Sequence, residues 1–403
     1  MKRSLLAIVL VALAAGLCSA QAGNVASKFD IDLYGYIKLD VVYDTQKNAA
    51  GDIELFVLPE GDDKDDEFTM TARQTRFGFN IAGPDIADGK CTGRIEAGFW
   101  GEESDPDHKT KLRIRLAYAD LAYDTWSFRA GQDWDTFITV IPKSINFTYF
   151  GWQGAPGYRR AQARLTKSIA LGDSCKLTAK VAAARTLGEL YRGNDGDYDG
   201  DGQNDGEDSG IPSVQGNLIL TGDLLTDKPT RISVSGTWGQ EDLDTTTVSG
   251  GVTNVDVDAE YDTWLVMGSL FMPLMEKMTL QGAVWTGSNL DAYESGLGLG
   301  INTMLGTEID AQGGWGQLMC DVTEKLNLNV GYGLDDVDED DLNGFAVDSV
   351  NSRSKNEFIM ASAYYAVNEA LVLGFEYSHM TTSYKGAEDA ENDRFHGAVF
   401  YFF

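Results

Sequence analysis

Phe29-Asp30-Ile31-Asp32-Leu33-Tyr34-Gly35-Tyr36-Ile37-Lys38-Leu39-Asp40-Val41 is the stretch whose reading decides the fold. Side chains on a strand point alternately to opposite faces. Phe29, Ile31, Leu33, Gly35, Ile37, Leu39 and Val41 therefore share one apolar side, and Asp30, Asp32, Tyr34, Tyr36, Lys38 and Asp40 share a polar one. The rhythm recurs at Leu326, Leu328, Val330, Tyr332 and Leu334, which alternate with Asn327, Asn329, Gly331 and Gly333. Roughly sixteen such runs of about ten residues follow one another, joined by links that alternate short and long. About ten residues is the length a tilted strand needs to cross a bilayer. The pattern predicts an all-β chain: a transmembrane antiparallel β-barrel of about 16 strands with an aqueous interior.

The N-terminus precedes this pattern. Lys2 and Arg3 stand before an apolar stretch from Leu5 to Leu17, and small residues follow, which is the three-part layout of a secretory signal peptide over residues 1–22. Cleavage could follow Ala20 or Ala22, and both stay open. Cys18 is preceded by Leu17 where lipidation wants a small residue, which argues against a lipoprotein. Residues 23–403 then form a single barrel domain. No later run is long and apolar enough for a spanning helix. A formal net charge of -30 excludes nucleic acid as a partner. Much of the acid lies in the long links, at Asp62–Glu67, Glu102–Asp107, Asp195–Asp208, Asp335–Asp341 and Glu388–Asp393. After cleavage Cys91, Cys175 and Cys320 remain, and one disulfide between Cys91 and Cys175 or three free thiols are both open.

Strands are expected over 29–45, 68–83, 90–101, 111–124, 126–136, 160–170, 175–185, 212–224, 230–241, 261–274, 278–288, 310–322, 326–336, 355–367, 370–382 and 394–403. An even strand number with short inner turns, long outer loops and both termini inside forms one consistent set. A soluble β-sandwich would also alternate, but it would rarely hold long and short links in phase over so many turns. Trp238 and Trp264 near the outer loops, and Trp126, Tyr401 and Phe403 near the inner turns, suit the two membrane interfaces. Val399, Tyr401 and Phe403 fall on one face of the last strand with Phe395. This ending resembles the C-terminal recognition signal of bacterial outer-membrane barrels, which implies the barrel assembly machinery as a partner.

The polar face of strands two to seven is rich in cations. Arg76, Arg94, Arg113, Arg115, Arg129, Arg160, Arg164 and Lys180 sit beside apolar neighbours and so should point into the lumen. A charge on the lipid face would cost on the order of 2–4 kcal/mol near the midplane. A guanidinium ladder along one wall could set ion selectivity. Glu96 and Asp133 could instead neutralise part of it, leaving a braced wall, and both readings stand. Arg73 fits neither face unless a bulge intervenes.

Residues 137–158 form a long link without acids, containing Phe147, Tyr149, Phe150, Trp152 and Tyr158. So apolar a loop should fold inward against the wall and narrow the channel. The whole mature chain resembles trimeric sixteen-stranded Gram-negative porins. Tyr34-Gly35-Tyr36-Ile37-Lys38-Leu39-Asp40, Ala130-Gly131-Gln132 and Gly157-Tyr158-Arg159-Arg160-Ala161-Gln162 are most similar to the DcaP-type members. The resemblance implies a homotrimer in outer-membrane lipid and lipopolysaccharide, an inward-folded third outer loop, and passive diffusion of small hydrophilic solutes. Among those solutes it favours anions such as dicarboxylates. Acidic outer loops, which would repel anions at the entrance, and an insert at 194–209 depart from that pattern. The competing reading is a structural or adhesive barrel whose acidic loops bind divalent cations and surface polymers.

Within the acidic loop 186–211, Asp197, Asp199, Asp201, Asp205 and Asp208 fall at calcium-loop spacing, with Gly202 after the third acid. Calcium could bind there, although Asp in place of Glu at the twelfth position weakens bidentate reach. A solvated acidic loop is the alternative, and no cofactor is otherwise required. His108, His379 and His396 show no zinc spacing, and nothing in the chain reads as an enzyme.

Overall fold

The computed structural model describes residues 29–60, 65–100, 111–188, 204–243, 246–249, 252–255, 259–302, 304–347 and 349–403. The signal segment 1–22, His108 and Asp197, Asp199 and Asp201 of the acidic loop lie outside the described residues. Sixteen antiparallel strands close into a barrel: β1 (Asp30–Asp44), β2 (Glu67–Thr71 and Arg76–Ala82), β3 (Lys90–Gly98), β4 (Arg113–Ala122), β5 (Trp126–Trp134), β6 (Arg159–Ala170), β7 (Cys175–Ala184), β8 (Ser213–Asp223), β9 (Pro229–Leu243), β10 (Ala259–Met275), β11 (Met278–Ser288), β12 (Asp310–Asp321), β13 (Leu326–Val337), β14 (Arg353–Ala366), β15 (Leu371–Tyr384) and β16 (Ala390–Phe402). Each pairs with the next, and β1 closes the ring against β16 from Tyr36↔Phe402 to Asp44↔Arg394. The Gly35 and Phe403 amides and carbonyls bond reciprocally at the seam. Closure leaves no unpaired edge in lipid.

Burial along β1 is inverted relative to a soluble strand. Ile37 and Leu39 are 56% and 40% exposed, whereas Lys38 and Asp40, which alternate with them, are buried. An apolar outside and a polar inside is the arrangement a bilayer demands. Trp238 and Trp264 face each other across β9 and β10 on that outer surface.

Two irregularities re-aim side chains. The expected second strand 68–83 is broken at 72–75, because β1 opposes those four residues with only Ile37, Lys38 and Leu39. Thr75 N–H turns back to the Ala72 carbonyl, and the Lys38 N–H bonds the Thr75 hydroxyl instead of a strand partner. The turn buries Arg73, which pairs with Asp52 of the loop 45–66. In β4 the register slips between Glu96↔Leu116 and Ala97↔Ile114, leaving Arg115 as the extra residue, so Arg115 and Leu116 are both buried.

Cys91, Cys175 and Cys320 are free. The bridge from Cys91 to Cys175 is ruled out because they stand on β3 and β7, about 19 Å apart at about 4.8 Å per strand. A disulfide needs Cα atoms within about 7 Å.

The apolar core lies inside the barrel. It joins Phe137 and Phe150 of loop 137–158, Leu290, Tyr293, Leu297 and Leu299 of loop 289–309, and Val57 of loop 45–66. The wall opposite supplies Leu265, Met267, Trp285, Trp315, Phe358 and Met360. Three outer loops thus fold into the lumen against β10–β14. Each large side chain withdrawn from water there contributes about 1.5–3 kcal/mol.

Candidate functional site: an inner loop facing a basic wall

A loop inside a barrel must find partners for its backbone groups, and the polar face of the strands provides them. Gln215 on β8 accepts from the Thr136 N–H at 2.6 Å, and Asn217 donates to the Thr136 and Phe137 carbonyls. Gln281 on β11 donates to the Ile141 carbonyl, and Gln317 on β12 both accepts from and donates to the Lys143 backbone. Glu376 on β15 accepts from the Ile145 N–H and the Ser144 hydroxyl, each at 2.8 Å, while Lys38 on β1 donates to the Ile145 carbonyl. The loop then turns back through Tyr149, Phe150 and Trp152, all with positive φ. Non-glycine residues hold such φ values only where the surroundings over-determine them. Phe150 is held edge-on against Phe358 at 4.9 Å. Gly333 of β13 makes the approach feasible, since a Cβ there would overlap the Gln153 carbonyl oxygen. Trp285 donates to the Gly154 carbonyl on the return limb, and Asp135 closes the neck by accepting from the Tyr158 N–H.

This course presents aromatic rings to the cations of β2–β6. Arg76 donates to the Tyr149 hydroxyl at 3.0 Å. Arg113 and Arg115 lie 5.9 and 5.1 Å from the Phe147 ring centre, and Arg113 also reaches the Tyr158 hydroxyl. Phe147 in turn stacks on Trp100 at 5.6 Å. Arg76, Arg94 and Arg115 all pair with the one carboxylate of Glu96. Three guanidiniums against one carboxylate leave a local positive excess. Tyr149 registers it: burial pushes its phenol up, yet the Arg76 and Arg115 charges prevail and hold it at about 8.

The remaining sequence candidates are placed differently. Arg129 pairs with Asp120 and Asp133, and Arg164 with Asp133, so this part of the wall is largely neutralised. Arg160 is fully buried, pairs with Asp135 at 2.7 Å, donates to the Ala292 carbonyl and covers the Tyr293 ring. It ties loop 289–309 to β6 and faces no passage. Trp152 sits at the core side, 6.1 Å from Phe56, and not among the arginines. Val399, Tyr401 and Phe403 are exposed on the lipid face.

Strict alternation missed Arg159, because placing Arg160 in the lumen put its neighbour in lipid. β6 begins at Arg159, where the inner loop rejoins the sheet, and both residues are buried. Arg159 lies over Trp134 at 4.7 Å and Tyr158 at 5.0 Å, within electrostatic reach of Arg113 and Arg76. Its adjacency to the aromatic loop was the available signal.

Of the calcium candidates only Asp205 and Asp208 are described, at the ends of a four-residue helix, Asp205–Asp208, with Asp205 buried. No group of metal-ligating side chains occurs among the described residues. His379 and His396 pair with different carboxylates, Asp393 and Asp40.

The family model described as Gram-negative porin matches residues 6–403. The outer membrane channel DcaP of Acinetobacter baumannii is similar over 94% of this chain and 99% of that one, with a TM-score of 0.71 at 19% identity. The trimer form of OmpT, an outer membrane protein of Vibrio cholerae, is similar over 94% of this chain and 100% of its own, with a TM-score of 0.56 at 11% identity. An anion-selective porin from Comamonas acidovorans covers 93% of this chain and 100% of its own, at a TM-score of 0.55 and 11% identity. No curated protein sequence matches the chain.

Proposed function

The chain belongs to the Gram-negative porin family, and from that membership we propose that its outer-membrane diffusion channel prefers small anions, carboxylates among them. It is not an enzyme: the family and the fold are those of passive channels. The observation that carries the anion preference is the convergence of Arg76, Arg94 and Arg115 on the single carboxylate of Glu96, beside the rings of the inner loop. A wall with an excess of one charge, bounded by low-dielectric material, focuses its field into the passage and raises the local concentration of counter-ions. The arginines are already shared among Glu96, Tyr149 and Tyr158, so a passing anion exchanges one set of partners for another and is released again. Arg76→Ala and Arg113→Ala should each lower the chloride-to-potassium permeability ratio measured from reversal potentials in planar bilayers. Unchanged ratios in both would remove the proposal.

A homotrimer is part of the same reading. The OmpT trimer form offers a precedent for assembly in this fold, and the mass of the detergent-solubilised protein by light scattering tests it.

A further inference from the structure

Lys180, the last of the cations expected on the lumen face, lies on β7 beyond the neutralised stretch of the wall. It is within electrostatic reach of Arg129, Arg164 and Arg231, and of one carboxylate, Asp133, which already serves Arg129 and Arg164. Lys180 itself makes no hydrogen bond or ion pair among the described residues. Asn217, opposite it on β8, donates to the Thr136 and Phe137 carbonyls, so Lys180 stands at the foot of the inner loop. Nearer the periplasmic turns, about 13 Å along the strand, Lys176, Thr221 and Arg231 form a lateral row across β7, β8 and β9. Phe271 on β10 continues it. Ser233, two positions along β9 from Arg231, bonds Ser269 inside the barrel, which sets this row on the lumen face. Arg231 lies over the Phe271 ring at 4.4 Å and pairs with no carboxylate among the described residues. Lys176 is exposed, and Thr221, Lys180 and Arg231 are half-buried, so water reaches all four. Asp173, Asp223, Asp227 and Glu276 stand in or beside the turns, and none of them is paired with Lys180 or Arg231.

We propose that Lys180 and the row from Lys176 to Arg231 form an anion-holding station on the periplasmic side of the constriction, for small anions carrying two or more charges. It rests on the anion preference proposed above and adds where in the passage an anion dwells. An unpaired cation in a wall bounded by low-dielectric material recruits a counter-ion from solution. Lys176 and Arg231 stand two strands apart, about 10 Å, with Thr221 between them on the same face. A singly charged anion compensates one of the two cations, whereas a doubly charged one is attracted twice as strongly by both. The Phe271 ring holds the Arg231 guanidinium in place, so its donors need little ordering when an anion arrives. The outer mouth carries the opposite sign, in the acid runs Asp335–Asp341 and Glu388–Asp393. The station is therefore loaded more readily from the periplasmic mouth than from the outer one.

The test uses the full-length protein in planar bilayers at about 0.1 M potassium chloride, with sulfate added to one chamber and then to the other. Each channel is read from both sides, so its orientation needs no assumption. Sulfate should reduce the current at about fivefold lower concentration from one chamber than from the other. At about 1 M salt the difference should nearly vanish. Arg231→Gln and Lys180→Gln should each bring the two concentrations toward equality, while shifting the chloride-to-potassium ratio less than Arg76→Ala does. Arg231→Lys should keep the difference. Should one glutamine variant fail to assemble, the other and the unaltered protein still decide. Equal block from both chambers, with chloride preference intact, would overturn the station and leave the anion channel standing. A difference that persists in the glutamine variants would likewise overturn it. Potassium preference would overturn the anion reading and the station together.

Discussion

Replacing Glu96 by Gln separates a selective wall from a braced one. The amide keeps an oxygen for the Tyr34 hydroxyl, now at 3.0 Å, but removes the only negative charge shared by Arg76, Arg94 and Arg115. An ion passing about 7 Å away in water feels one added positive charge as about 0.6 kcal/mol. Screening over a Debye length of about 10 Å at 0.1 M salt roughly halves this. Anion and cation shift in opposite senses, so the chloride-to-potassium ratio should rise about threefold, and more where the low-dielectric wall focuses the field. At 1 M the Debye length is about 3 Å and the effect should nearly vanish. Reversal potentials under a fixed salt gradient, at low and high mean concentration, measure both. The substitution also strands Arg115, which is buried, so a loss of about 3–5 kcal/mol in stability is expected alongside. A lowered melting temperature with no change in the ratio at 0.1 M would refute the selective reading. A shift equally large at 1 M would refute the electrostatic origin.

Gly333→Val should push the inner loop off β13, because even a Cβ overlaps the Gln153 carbonyl. Single-channel conductance should rise and stability fall by about 1–3 kcal/mol, and unchanged conductance would show that this contact does not hold the loop. Arg160→Met should destabilise the barrel by breaking the pair with Asp135, yet shift the permeability ratio far less than Arg76→Ala; an equal shift would return Arg160 to the passage. Glu54, buried on loop 45–66, is pushed up to about 7, chiefly by burial, with Arg394 opposing and Asp44 adding to the rise. The folded state then holds this proton more tightly than the unfolded chain, so the contribution is full below about pH 4.3 and is lost as pH rises toward about 7. The melting temperature of Glu54→Gln relative to the unaltered protein should climb from pH 5 to pH 8, and a flat difference would contradict the shift.

The barrel was legible because period two is imposed on every strand at once, and closure requires the links to keep phase. The interruption at 72–75 was announced only by Arg73 fitting neither face, since an extra residue in a strand is visible to sequence only as a conflict of that kind. What the polar face does was much less legible. Gly331 and Gly333 read as wet positions, but they leave room for Phe150 and Gln153. Lys38 reads as a polar-face charge, but together with Glu376 it holds the Ile145 backbone. Polarity reports that a side chain avoids lipid. It does not report whether water or a folded loop replaces it. Loop 137–158 stood out by lacking acids, whereas loops 45–66 and 289–309 gave no such contrast and their inward course went unanticipated.

That division of the polar face places the open side of the barrel. Asn217, Asn329, Glu376 and Arg394 on β8, β13, β15 and β16 are almost wholly buried, while Arg94 and Arg129 on β3 and β5 keep 35% and 23% of their side-chain surface accessible. The loops have therefore covered the polar face from β8 round to β1, short of its periplasmic end, and on the arginine side Arg94 and Arg129 keep accessible surface while Arg115, Arg159 and Arg160 are buried. Under the proposed anion preference, narrowing and selectivity share one cause, because the packing that anchors the inner loop also presses its rings toward Arg76, Arg113 and Arg115. Variants that loosen the anchor, such as Gly333→Val, should widen the pore and weaken its ion preference together. A wider pore with its preference intact would mean that the arginines act on passing ions without the loop.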